Sequence, residues 1–121
     1  MSPDFDQFSA VSAQHIATRN GGDVRAINMS FGNPLATGKI LDGNSLLTQF
    51  VDWSAREHDT LYVVAGNEDA GGIPIPTDNF NGMTVAFSEK NGGVYRQVDS
   101  ANNFAEDADG DRTSIDIVAP G

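Results

Sequence analysis

A chain of 121 residues with 39% hydrophobic residues is long enough for one layered domain that buries roughly two thirds of its unfolded surface. Seventeen Asp and Glu against seven Lys and Arg give a formal net charge of −10, which repels phosphate backbones and argues against nucleic acid as a partner. No long apolar span and no charged-then-apolar leader occurs, so neither a membrane segment nor an intact signal peptide is expected, and without cysteine there is no disulfide and no thiolate metal site.

An acidic surface keeps a protein in solution and can hold a hard cation such as calcium, although most such charge is a solvated exterior and no cofactor is expected. In chain order, Ser2-Pro3-Asp4 is a helix start: Ser2 can cap, Pro3 suits the first helical position and Asp4 opposes the dipole. The helix is expected to run to about Arg19, with Phe5, Phe8, Val11 and His15 or Ile16 forming a stripe toward a sheet and Asn20-Gly21-Gly22 supplying a left-handed stop. His15 has no Ser or Asp at useful spacing and is given no catalytic role.

Asp23 to Ser30 predicts a largely buried strand carrying Val24, Ala26, Ile27 and Met29. Asn28-Met29-Ser30 matches a glycosylation acceptor, but an interior strand leaves no room for a glycan. Gly32 to Ile40 has five residues between its glycines and no hydroxyl after Lys39, so it fails as a phosphate-binding loop and reads as surface.

Asp42 or Asn44 can cap a second helix over about 45–58, with Leu46, Leu47, Phe50, Val51, Trp53 and Ala55 as a broad buried face. The helix leads into Thr60 to Ala65, a short apolar, β-branched run that stops at Gly66-Asn67, as the strand of a parallel sheet does. Strand, helix, parallel strand is the right-handed crossover, so both strands are expected to end on one sheet edge, with Ser30-Phe31-Gly32 and Ala65-Gly66-Asn67 flanking a crevice. Asn67, the first polar side chain beyond the second strand, is the lead functional residue.

Gly71 to Pro76 reads as a surface connection. A strand at about Met83 to Phe87, turn chemistry at Asn91-Gly92-Gly93 and an alternating Val94 to Val98 predict an exposed antiparallel half. Asp99 to Asp111 is a polar loop whose Asp107, Asp109 and Asp111 imitate a calcium loop, yet Arg112 and Val118 stand where glycine and glutamate are required. Ile115-Asp116-Ile117-Val118 enters a last buried strand before Ala119-Pro120-Gly121.

Three of these segments together resemble the subtilisin-like serine proteases. Arg25 to Gly32 is similar to that family's "INMSLG" strand, Val63 to Glu68 to its "AAGNEG" strand, and Asp109 to Gly121 to "DGR.KPDIVAPG", in the family's order and with similar separations. The resemblance implies an α/β fold of three layers, a mostly parallel sheet flanked by helices, and a single partial catalytic domain over 1–121. It implies a peptide or protein substrate in the parent enzyme, and a secreted or extracytoplasmic location.

By the same resemblance Asn67 is the oxyanion-hole asparagine, a contribution of roughly 3 kcal/mol to the transition state, the size found for the equivalent donor in a protease of this family. Ser30, Phe31 and Gly32 would pair with substrate as one wall of the cleft, Phe31 adding an apolar subsite, while Val64, Ala65 and Gly66 would line the pocket for the residue before the scissile bond.

No "DTG", "HGTH" or "GTSMASPH" segment occurs, and Ser114, followed by Ile115, is not the nucleophile. The chain is therefore expected to be the stretch between the family's histidine and serine segments, inactive alone. A non-catalytic α/β binding or interaction domain on the same scaffold is the alternative reading. Missing strands would leave an unpaired edge and an uncovered apolar surface, from which a homo-oligomer is expected.

Overall fold

The computed structural model describes residues 3–33, 40–66, 75–97 and 114–120. Helix α1 (Pro3–Ala17) is followed by a single 3-10 turn (Arg19–Gly21). Strand β1 (Ala26–Met29) comes next, then helix α2 (Leu46–His58), strand β2 (Leu61–Ala65), strand β3 (Met83–Asn91), strand β4 (Val94–Gln97) and strand β5 (Ile117–Pro120). The sheet has five strands in the order β1-β2-β3-β4, with β5 also paired to β3, and every pairing is parallel except β3 with β4. This is an α/β fold with a mostly parallel sheet. No described helix is long and apolar enough to cross a membrane.

The antiparallel half expected after residue 83 is smaller than the sequence indicated. Met83 to Val85 pairs in parallel with β2 and Val85 to Ser88 with β5, leaving only the Asn91–Val94 hairpin antiparallel. The reason is length. β3 has nine residues, enough for a parallel base and a projecting tip whose turn uses positive φ at Gly92 and Gly93.

Both described helices lie on one face of the sheet. Ala13 and Ala17 of α1 and Leu47, Val51 and Ala55 of α2 close over Ile27, Met29, Tyr62 and Val64 to make the main core. A layer on the opposite face, part of the three-layer expectation, is not found among the described residues. The strands accordingly alternate instead of being buried throughout: Ala26 and Asn28 are exposed while Ile27 and Met29 are buried. Asn28 of the glycosylation match is thus exposed on the outermost described strand, not interior.

The α1 stripe is also turned around. Phe8 and Val11 are 70% and 68% exposed and Ile16 is 41% exposed, whereas Ser9, Ala13 and Ala17, spaced by four, are buried. Small side chains let the helix lie close to α2 and the sheet, and the large residues are displaced to the flank. Ser2 and the side chain of Phe5 lie outside the described residues. The expected glycine stop is present, with Gly22 in the left-handed region at φ 80° and donating to the Arg19 carbonyl at 2.9 Å.

α2 is capped by Ser45, whose hydroxyl accepts from Thr48 N, and not by Asp42 or Asn44. Asp42 instead accepts from its neighbour Asn44. Asp78, 1% exposed, serves this corner from afar by accepting from Gly43 N and Thr48 Oγ1, both at 2.7 Å. Leu46 and Trp53, expected in the buried face, are about half exposed; their places are taken by Thr48 and Ser54, each satisfied by a buried partner.

Candidate functional site

The register of β1 on β2 sets the site. Asn28 lies opposite Val63 and Met29 opposite Val64, in parallel, so Ser30 to Gly32 leave the sheet beside Ala65 and Gly66 at the carboxyl edge. Asn67, the lead residue, lies outside the described residues and directly follows Gly66 in the chain.

Ser30 is exposed, and its Oγ accepts from Asn28 Nδ2. Phe31 is 42% exposed and Gly32 half-buried. Beyond them Asn33 is buried and forms an antiparallel bridge with Ile75, each backbone N donating to the other's carbonyl at 3.0 Å. Its Nδ2 donates to Asp6 in the first turns of α1. The exit of β1 is therefore tied both to the 75–78 segment and to α1.

Val64 has no exposed side chain and packs among the helices, so what it can offer a cleft is main chain. Ala65 and Gly66 are half-buried. Gly66 N donates to Val85 O at 2.9 Å, and a Cβ at Gly66 would lie 2.6 Å from Ile115 Cδ1. The Ile115 side chain would have to shift to admit one. A groove of about 200 Å³ opens between α1 and β1, lined by Phe8, Ser12 and Ile16 on the helix and by Asn28, Met29 and Phe31 on the strand and its exit.

Gly71 to Pro76 was expected on the surface, but Ile75 and Pro76 are buried, as are Thr77 and Asp78 after them, and 71–74 lies outside the described residues. The apolar Ile75 between two prolines was the available signal for this. Buried Asn33 and half-buried Ile115 also border the site, with no local sequence pattern that marks them. Ser114 is 2% exposed, and its Oγ has no hydrogen-bond partner among the described residues. Asp107, Asp109 and Asp111 lie outside the described residues, and among the described ones no group of three His, Cys, Asp or Glu is placed to hold a metal.

The site thus has two adjacent strand exits, an apolar groove beside one and Ile115 packed against Gly66 at the other. Such an arrangement can pair with an extended chain and seat its side chains. No curated protein and no solved structure matches the chain. Residues 6–121 match the peptidase S8 model, the Subtilase family, so the chain belongs to the subtilase family.

Proposed function

We propose that residues 1–121 are the part of a subtilisin-like serine endopeptidase domain between its histidine and serine segments, supplying the oxyanion donor and one side of the substrate cleft. The observation that supports this most is the parallel register of β1 and β2, which brings Ser30 to Gly32 out beside Ala65 and Gly66, with Asn67 next in the chain. Backbone groups of Ser30, Phe31 and Gly32 pair with the substrate as an added strand. The groove beside Phe31 takes an apolar side chain, and the main chain of Val64, Ala65 and Gly66 borders the residue before the scissile bond.

Asn67 donates its side-chain amide to the oxyanion that forms when the carbonyl carbon is attacked. Nucleophile and base are a serine and a histidine outside this chain, since none of the family's three triad motifs occurs in the sequence. The absence of those motifs also favours a second reading, a binding domain that keeps the scaffold without the chemistry.

A serine-directed phosphonate separates the two. It is expected to leave the 121-residue chain unlabelled and to label the complete protein at one serine outside residues 1–121. Labelling of Ser30 or Ser114 would overturn the assignment of roles, and a complete protein without a labelled serine would establish the binding domain.

A further inference from the structure

We propose that Ile115 is a positioning residue that fixes the spacing between the two strand exits. Resting on the cleft reading for its catalytic consequence, the inference is structural in its basis. Ile115 touches both sides. Its Cδ1 sits against Gly66 at the exit of β2, close enough that a Cβ there would meet it at 2.6 Å. The same side chain packs against the pair Leu41 and Ile75, 1% and 5% exposed, which form a second small core apart from the helix-covered one. Ile75 in turn is bridged through both backbone groups to Asn33, immediately beyond Ser30 to Gly32. A continuous path of contacts therefore runs from Gly66 through Ile115 and Ile75 to Asn33.

Ile115 is itself held firmly. The next residue, Asp116, donates its backbone N to Thr84 O at 3.0 Å and accepts from Thr84 N through Oδ2 at 2.7 Å. Thr84 is fully buried and its hydroxyl donates to Thr77 O, two residues beyond Ile75. The backbone next to Ile115 is thus fixed to β3, which holds the half-buried Ile115 side chain between Gly66 and the Leu41–Ile75 core, and packed contacts pass a displacement from one neighbour to the next.

The test uses Ile115→Val, which deletes the Cδ1 methyl and leaves the β-branched stem. In backbone amide NMR spectra of the 121-residue chain, the Ile115→Val substitution is expected to shift Gly66 and also Ile75 and Asn33, while Val51→Ala in the main core lowers the melting temperature and leaves those three amides in place. Shifts confined to Gly66 and β5, with Asn33 unmoved, would overturn the proposal. In the complete protein Ile115→Val is expected to lower kcat about tenfold with KM nearly unchanged, the mark of misplaced reacting groups. An active variant with unaltered kcat would overturn the positioning role. A complete protein without protease activity would remove the cleft reading, and the amide shifts would still decide whether Ile115 couples the exits.

Discussion

Tyr62 has no exposed surface, and its hydroxyl shares a 2.8 Å hydrogen bond with Ser54 Oγ of α2. Burial raises the phenol's pKa above its ordinary value of 10.0, and the hydrogen bond to Ser54 offsets that only in part. Because the folded-state value is the higher one, the protonated phenol's contribution is complete below about pH 10 and is lost as the pH rises through the raised value. The wild-type chain is expected to lose more of its melting temperature between about pH 8 and pH 11 than Tyr62→Phe does; equal losses would show that Tyr62 does not carry the alkaline limit. At this scale, what the sequence made legible was where the strands end: Ser30 and Gly66 stand at strand exits that an apolar run followed by glycine announces. Asp78 and Ile115 were not legible. Asp78 serves Gly43 and Thr48 from 35 and 30 residues away, and Ile115 acquires its meaning from a contact with Gly66 that no local pattern encodes.

Among the elements, the existence and approximate bounds of α2 and the strands could be read from their periods, whereas the cap of α2 and the orientation of α1 could not. Its large apolar residues repeat at helical spacing, but so do Ser9, Ala13 and Ala17, and the space between α2 and the sheet admits only the small set. Ala13→Leu is therefore expected to destabilise by about 1–3 kcal/mol through overpacking, and Phe8→Ala to change stability by less than about 0.5 kcal/mol. Urea denaturation of the two variants checks this. The opposite ranking would return the helix to the orientation that its large residues imply.

For the whole molecule, the described sheet face away from the helices exposes Leu61, Met83, Phe87 and Ile117, and β1 pairs with β2 alone among the described residues. An open apolar face beside an open edge favours association, which the charge of −10 opposes at long range. At ~0.15 M salt that repulsion is screened within about 8 Å, and each Å² of apolar surface buried stabilises by roughly 25 cal/mol. Light scattering at micromolar concentration is expected to give a mass above one chain; a monodisperse single-chain mass with a cooperative thermal transition would contradict it. Asn67, directly after Gly66 in the chain, is the proposed oxyanion donor. Asn67→Ala in the complete protein tests it most directly: turnover of a peptide substrate is predicted to fall by about a hundredfold or more with KM little changed, and an unaltered turnover number would remove Asn67 from the chemistry.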